Sequence, residues 1–193
     1  MAKLYFRYGA MNSGKTTHLL QVAHNYKEQG MDVLIAKPSL DTKGEDKLIS
    51  RLGISRQVDV LFSKDENLKD VLKDDISKRD IKCILVDEAQ FLSEKQVDEL
   101  LKITSENNIP VIAYGLRTDY RREAFSGSAR LLLVAHSLEE LKTICSCGKK
   151  AIFNIRNING KPVFSGEQVS IDNQDNVTYN SVCNDCYNKL VKP

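Results

Sequence analysis

An eight-residue loop between a predicted strand and a predicted helix places the strongest constraint on how this chain folds. Residues 9–16 read GAMNSGKT and match the pattern G-x-x-x-x-G-K-[ST] in full. The apolar run 4–8 before the loop predicts a strand, and the helical spacing after it predicts a helix that ends at Gly30. In that context the backbone N–H groups of the loop and the helix N-terminus face phosphate oxygens. The loop therefore predicts a site for a nucleoside triphosphate.

Two side chains of the loop have predicted roles in holding ATP and Mg²⁺. Lys15 is placed to reach the β- and γ-phosphates, and the Thr16 hydroxyl is placed to ligate the metal. The alternative, a glycine turn that matches by chance, is disfavoured by the strand and helix on either side. The candidate ATP-binding residues of the loop are Gly9, Ala10, Met11, Asn12, Ser13, Gly14, Lys15 and Thr16.

Strand-like and helix-like segments alternate along the first part of the chain. Predicted strands cover residues 31–38, 57–62, 81–88 and 109–115, and predicted helices cover residues 13–30, 66–78 and 93–108 with Ser93 as a cap. This alternation predicts an α/β fold, a P-loop (RecA-like) parallel sheet flanked by helices. The polar stretch 41–56 is predicted to be a mobile loop. The histidines His18, His24 and His136 are predicted to occupy ordinary helix positions.

The pattern changes after about residue 140. The stretch 142–171 contains no convincing helix, and Asn159-Gly160 is a strong hairpin signal. We predict a P-loop core over 1–140 and a small β-rich unit over 141–193. The second unit has about 53 residues, too few for a large core, so it needs a covalent or metal link.

Four cysteines in two close pairs offer that link: Cys145, Cys147, Cys183 and Cys186. Two such pairs in a small β-rich unit predict a four-thiolate Zn²⁺ site. Since four sulfurs leave no open position, this zinc is structural. Disulfides or unligated thiols are the alternatives. The fifth cysteine, Cys83, lies in an apolar strand and is interpreted as a core residue.

Two acids follow the apolar strand that ends near residue 86. Asp87 and Glu88 stand at the carboxyl end of this strand, where ligands bind in open α/β sheets. Asp87 is a candidate Mg²⁺ ligand and Glu88 a candidate general base. The adjoining Ala89 and Gln90 complete the candidate ATP-binding set. The alternative is an exposed acidic turn that caps the next helix.

Composition disfavours two classes of protein. The chain has 28 Lys and Arg against 26 Asp and Glu, a net charge of only +2, whereas a dedicated nucleic-acid binder is usually strongly basic. We therefore do not expect it to bind nucleic acid. The chain also has no apolar run of about 18 residues and no apolar signal core near Met1, so we expect a cytoplasmic protein that does not span a membrane.

Taken together, the phosphate loop, DEAQF at 87–91, YGLRTDYRREAF at 114–125 and the two cysteine pairs resemble the type II thymidine kinase family. The resemblance implies transfer of the γ-phosphoryl group of ATP to the 5′-hydroxyl of thymidine, giving dTMP for DNA synthesis by deoxynucleotide salvage. It also implies acceptance of deoxyuridine, inhibition by dTTP, a homotetramer, and a zinc unit whose lasso closes over the nucleoside.

The resemblance also assigns roles to residues. Glu88 matches the catalytic base, with Asp87 on the ATP side and Gln90 on the substrate side. The nucleoside-binding positions implied are Met11, Phe91, Leu116, Tyr120, Ser170, Ile171 and Tyr179. Tyr120 and Tyr179 could also be plain packing residues, and Phe125 could be core.

Two segments depart from the family pattern. The stretch after residue 168 has Asp172-Asn173 where the family has glycines, and Lys43 stands where the family often has Arg.

We leave Arg117, Arg121 and Arg122 outside the catalytic set. The alternative function is a single-domain P-loop ATPase with a zinc-ribbon interaction module, and a non-catalytic nucleotide sensor is a third class.

Overall fold

A six-stranded parallel sheet forms the centre of the molecule. The computed structural model describes residues 1–39, 46–168 and 176–191. The strands of this sheet are β1 Leu4–Tyr8, β2 Asp32–Pro38, β5 Val60–Phe62, β6 Ile81–Val86, β7 Val111–Gly115 and β8 Ser137–Glu140. They lie in the order β5-β2-β6-β7-β1-β8, and every neighbouring pair is parallel. The predicted parallel sheet is confirmed.

Helices cover both faces of this sheet, as the alternation predicted. They are α1 Lys15–Glu28, α2 Leu68–Lys78, α3 Glu94–Glu106 and α4 Ser126–Val134. The apolar face of α1 packs on one side of the sheet, and α2, α3 and α4 pack on the other. Successive residues of a buried strand point to opposite faces, so both faces of each central strand are covered. Ser93 caps α3 in a capping box with Gln96, as expected.

The prediction that His136 lies on a helix is wrong. Helix α4 ends at Val134, and the chain then turns into β8, which was not predicted. His136 lies in that turn, where its Nδ1 accepts from the Leu4 N–H at 3.0 Å and its own N–H donates to the Leu4 carbonyl at 2.8 Å. These two bonds attach β8 to the edge of the sheet. His18 and His24 do lie on α1.

Much of the segment predicted as a mobile loop is a β-hairpin. Strands β3 Lys47–Ile49 and β4 Ser55–Gln57 pair antiparallel. The Ser50 N–H donates to the Ile54 carbonyl at 2.8 Å, and Leu48 is buried in the core beneath α1. Strands of three residues are too short to show a clear alternation, which is why the polar composition suggested a loop.

The C-terminal part is β-rich, as predicted, and ends in a helix that was not predicted. Its elements are β9 Thr143–Ile144, β10 Lys150–Ala151, β11 Phe153–Ile158, β12 Lys161–Val163, β13 Val177–Val182 and α5 Asn184–Val191. Strand β11 pairs antiparallel with both β12 and β13. Asn159 and Gly160 both have positive φ, 51° and 76°, at the turn between β11 and β12, which confirms the hairpin signal.

Candidate functional site

The phosphate loop joins β1 to α1 and curls tightly against the end of the sheet. Gly14 adopts a left-handed conformation with φ 77° at the N-terminus of α1. A Cβ on Gly9 would lie 2.4 Å from the Leu141 carbonyl oxygen, so only glycine fits there. Within the described residues no side chain caps α1. The first N–H groups of this helix are therefore available to an anion.

Lys15 folds back over the loop. Its Nζ donates to the Ala10 carbonyl at 2.9 Å and to Ser13 Oγ at 3.4 Å. Burial lowers the pKa of Lys15 below its ordinary value, and the carboxylates of Glu88 and Asp87 partly oppose that shift. A phosphate group would offer the ammonium stronger acceptors than the carbonyl it now contacts.

The two predicted acids meet the phosphate loop at the end of β6. The Thr16 hydroxyl donates to Asp87 Oδ2 at 3.2 Å. Burial, and next the Glu88 carboxylate, raise the pKa of Asp87 to about 7. The loop residue and the strand residue predicted to share Mg²⁺ are thus brought together. A hydroxyl and a carboxylate are the oxygen donors this ion prefers, so the pair fits it.

Gln90 connects the candidate base to the loop after β7. Its Nε2 donates to Glu88 Oε2 at 2.5 Å, and its Oε1 accepts from the Leu116 N–H at 3.1 Å. Gln90 is buried, while Glu88 sits at φ 51° in the left-handed region that non-glycine residues seldom adopt. The candidate base is therefore oriented by its own backbone and by this amide.

One cavity of about 740 Å³ contains the phosphate loop and the candidate base. Met11, Lys15, Thr16, Glu88 and Leu116 all contribute to its wall. Met11 and Leu116, two of the predicted nucleoside-binding residues, therefore line the same cavity as the candidate general base Glu88 and the phosphate loop. This space can hold a phosphate donor and a hydroxyl acceptor side by side.

Sequence reasoning missed two cations near this site. Arg51, at the tip of the β3–β4 hairpin, lines the cavity, and no local motif marked it. Lys37 is buried at the end of β2, and its charge opposes the upward shift of the Asp87 pKa. Lys37 stands at the carboxyl end of a parallel strand, where ligands bind in open α/β sheets, and this position could have identified it as a candidate site residue.

The remaining nucleoside-binding candidates that the structure describes are Phe91, Tyr120 and Tyr179, and they lie on three different parts of the chain. Phe91 meets Phe125 edge to face with ring centroids 5.6 Å apart. Tyr120 is buried, and its hydroxyl donates to the Glu167 carbonyl at 3.1 Å. Tyr179 is half-buried on β13. Ser170 and Ile171 lie outside the described residues, as does Lys43.

The C-terminal β-rich part of the chain contacts the phosphate loop directly. Asn154 on β11 accepts the Met11 N–H at 2.8 Å through its side-chain oxygen, and its amide donates to the Thr118 carbonyl at 3.4 Å. The Ser181 hydroxyl on β13 donates to the Met11 carbonyl. Both backbone polar groups of Met11 are thus bound by side chains of strands β11 and β13. Nothing local in the sequence marked Asn154 or Ser181.

Arg156 attaches the segment before residue 169 to Tyr120. Its guanidinium lies 4.2 Å from the centroid of the Tyr120 ring and donates to the carbonyls of Ser165 and Glu167, each at 3.1 Å. The Arg156 side chain is buried, and a Cβ on Gly166 would lie 2.8 Å from its Nη2. This packing positions the chain just before the segment that the resemblance places over the nucleoside.

The four cysteines of the C-terminal unit converge on one point. Cys145 and Cys147 belong to the turn between β9 and β10, and Cys183 and Cys186 to the start of α5. All four sulfurs lie within 4.8 Å of one another. Cys147 and Cys183 are 3.5 Å apart, too far for a disulfide bond of about 2.05 Å.

This cluster fits a structural zinc ion. A tetrahedral site with Zn–S bonds of about 2.3 Å has sulfurs about 3.8 Å apart, close to the spacing observed. Backbone hydrogen bonding, chiefly from Cys147, lowers the pKa of the Cys145 thiol to about 6. The other three sulfurs raise the pKa of Cys186 to about 12. The lowered pKa of Cys145 favours its thiolate form. The raised pKa of Cys186 reflects the electron-rich sulfurs around it, whose charge a bound cation would neutralise.

Among the described residues, none of the helices combines the length and the apolar composition that a membrane span requires.

Comparison with known proteins identifies close relatives along the whole chain. A family model described as thymidine kinase matches residues 2–187. The thymidine kinase of Lactiplantibacillus plantarum is 48% identical over 189 residues, which is 97% of this chain and 96% of the relative. That of Coxiella burnetii is 47% identical over 92% of each chain. That of enterobacteria phage T4 is 44% identical over 100% of this chain and 98% of its own.

Proposed function

Because the chain belongs to the thymidine kinase family, and is therefore a nucleoside kinase, we propose that it transfers the γ-phosphoryl group of ATP to the 5′-hydroxyl of thymidine, giving dTMP. One observation carries the proposal for the site. The candidate base Glu88, the phosphate loop and the apolar residues Met11 and Leu116 line a single cavity. The kinase assignment replaces the alternative ATPase interpretation.

The ATP-binding set is proposed to comprise residues 9–16 and 87–90. When ATP arrives, the Lys15 ammonium exchanges the Ala10 carbonyl for the β- and γ-phosphate oxygens, and the loop N–H groups bind the remaining oxygens. Thr16 and Asp87 would hold Mg²⁺, which supplies positive charge against the phosphate oxygens. Arg51, on the cavity wall, adds a further positive charge to this part of the site.

Glu88 is proposed as the general base. Its carboxylate takes the proton from the 5′-hydroxyl as that oxygen attacks the γ-phosphorus, and such a base typically contributes about 10²- to 10⁴-fold in rate. The Gln90 amide, bound to Glu88 on one side and to the Leu116 N–H on the other, keeps the carboxylate facing the acceptor. Gln90 is a positioning residue in this scheme.

The nucleoside is proposed to lie against Met11, Phe91, Leu116, Tyr120 and Tyr179, with Ser170 and Ile171 contacting the base. Backbone N–H and C=O groups complement the thymine edge without placing a charge in the dry pocket. A pocket that recognises the thymine methyl by contact discriminates by only about 1–3 kcal/mol. We therefore expect deoxyuridine to be accepted as well.

The C-terminal unit is proposed to be a lid held together by zinc. We propose a boundary that leaves residues 1–140 as the kinase core and 141–193 as the lasso unit, with structural Zn²⁺ on the four cysteines. Closing such a lid excludes water and limits wasteful hydrolysis of ATP. Asn154 and Ser181 support this role, because they join the lid to the phosphate loop.

The biological setting is also proposed from the family. We expect a cytoplasmic homotetramer that works in deoxynucleotide salvage for DNA synthesis and is inhibited by dTTP. Binding of nucleic acid or membranes is not expected.

A phosphoryl-transfer assay tests the proposed function. Protein, Mg²⁺ and γ-labelled ATP are incubated with and without thymidine, for wild type, Glu88→Gln and the control Glu28→Gln, which changes an exposed acid at the end of α1. We expect thymidine-dependent label in dTMP that Glu88→Gln loses and Glu28→Gln keeps. Label that appears only as free phosphate, with or without thymidine, would contradict the proposal.

A further inference from the structure

The cavity at the phosphate loop extends to the side of the loop away from Glu88. The strand order β6-β7-β1-β8 places Glu88, after β6, on one side of the loop and Leu141, after β8, on the other. Strands are spaced by about 4.8 Å, so these two positions are about 14 Å apart across the sheet. Thr17, His18, Gln21 and Leu141 line the cavity together with the loop. A donor whose γ-phosphate faces Glu88 has room to extend its nucleoside in this direction.

The His18 ring is held in one orientation by a network beneath it. Arg7 Nη1 donates to the Tyr114 hydroxyl at 3.0 Å, and the same hydroxyl lies 3.0 Å from His18 Nδ1. Arg7 is in turn held by Glu139 of β8 at 2.7 Å. A guanidinium has no acceptor, so the Tyr114 oxygen accepts from Arg7 and directs its own proton to His18.

This network also determines which ring nitrogen of His18 carries the proton. His18 Nδ1 accepts from Tyr114 and lies 3.3 Å from Arg7 Nη1, a donor only, so Nδ1 is unprotonated. The proton is then on Nε2, which becomes a fixed N–H donor. Among the described residues Nε2 has no hydrogen-bond partner, and the ring contributes to the cavity wall.

Gln21 adds an acceptor one turn further along the same helix. Its Nε2 donates to Asn25 Oδ1 at 2.7 Å, which leaves the Gln21 side-chain oxygen available. Leu141 provides an apolar surface on the opposite wall. One oriented donor, one acceptor and an apolar wall suit a ribose and a base, whereas a phosphate needs cations or several N–H groups.

We propose that His18, Gln21 and Leu141 form the subsite for the nucleoside part of the phosphate donor, with His18 Nε2–H donating to a ribose or base acceptor. This proposal rests on the proposed function, because it takes a nucleoside triphosphate as the donor. In this proposal the first two turns of α1 recognise the nucleoside of the donor, whereas the loop binds its phosphates.

Binding measurements with two ligands separate nucleoside recognition from phosphate recognition. Affinities for Mg²⁺-ATP and for Mg²⁺ with inorganic tripolyphosphate are measured on wild type, His18→Ala and Gln21→Ala. Each variant loses one neutral hydrogen bond, so we expect ATP affinity to fall about two- to tenfold and tripolyphosphate affinity to stay unchanged. Two exposed changes, His24→Ala on the same helix and Gln29→Ala at its C-cap, should leave both affinities at the wild-type value.

Three results would overturn the proposal: unchanged ATP affinity in both variants, an equal loss for ATP and tripolyphosphate, or NMR signals showing the proton on His18 Nδ1 in the wild type. If His18→Ala does not fold, the exposed Gln21→Ala still decides the matter. The assay with thymidine is read separately on the wild type. Absence of thymidine-dependent transfer refutes the proposed function, while the two-ligand comparison still tests the nucleoside subsite.

Discussion

Gln90 shows how much one buried side chain can organise at the scale of a residue. Its two polar atoms hold the candidate base Glu88 and the Leu116 N–H, which belong to loops after neighbouring strands β6 and β7. Gln90 is buried, so the two loops depend on its amide for these two bonds. The DEAQF motif placed Gln90 near the site, but only the fold shows what it holds.

We predict that Gln90→Leu lowers kcat about 10- to 100-fold. The change keeps much of the volume but removes the hydrogen bond to a charged carboxylate, worth about 1.5–3 kcal/mol, and leaves the Leu116 N–H unsatisfied. Steady-state kinetics with thymidine as the acceptor check this. A kcat equal to that of wild type would show that Glu88 does not need Gln90.

A second residue prediction concerns stability at high pH. Burial raises the pKa of Tyr114 from its ordinary 10.0 to about 12. The folded chain therefore keeps a proton that the unfolded chain releases, and stability that is full below pH 10 is lost as the pH rises toward 12. We expect Tyr114→Phe to remove this part of the pH dependence, about 1.4 kcal/mol per pH unit. Denaturant unfolding between pH 10 and 12 measures it, and parallel curves for the two proteins would refute it.

At the scale of elements, strands of the C-terminal β-rich part act as a clamp on the phosphate loop. Strand β11 provides Asn154 for the Met11 N–H, and β13 provides Ser181 for the Met11 carbonyl. The Thr143 hydroxyl of β9 adds a bond to the Asn12 carbonyl at 3.2 Å. Because the loop is already held at successive peptide groups, its conformational entropy falls little when phosphate binds, and this favours binding.

We predict that Asn154→Ala and Ser181→Ala each weaken ATP binding. Each leaves a polar group of Met11 without its partner, at a cost of about 1–3 kcal/mol if it stays buried. The Kd for Mg²⁺-ATP should therefore rise, together with a fall in thermal stability. Thr178→Ala, an exposed change on β13, serves as the control. Normal ATP affinity in both clamp variants would show that the loop holds its shape without the clamp.

At the scale of the whole molecule, the cysteine cluster joins two ends of a small unit. Its ligands come from the β9–β10 turn and from the start of α5, at least 36 residues apart. A unit of this size builds only a small core of its own, and the cluster ties together the strands that reach the phosphate loop. If the cluster binds zinc as proposed, we expect loss of the metal to disturb the phosphate loop as well as the C-terminal part of the chain.

We predict that Cys147→Ser lowers bound zinc well below one ion per chain, with a loss of thermal stability and kinase activity. Three remaining sulfurs leave the ion an incomplete coordination shell. Elemental analysis measures the zinc directly. Cys83→Ala is the control, because Cys83 is buried in the sheet away from the cluster and its loss should not change the zinc content. Equal zinc in wild type and Cys147→Ser would refute the four-thiolate site.

Local sequence patterns by themselves determined the parallel sheet, its flanking helices, the phosphate loop, the acid pair and the cysteine pairs. Each rests on a period or a short motif, and physical chemistry restricts what such a pattern can form. Only the tertiary structure decided that a hairpin carries Arg51 to the cavity, that Arg7 and Tyr114 orient His18, and that Asn154 holds Met11 from 143 positions away. Contacts between distant residues leave no period in the sequence, because they depend on how the finished elements pack.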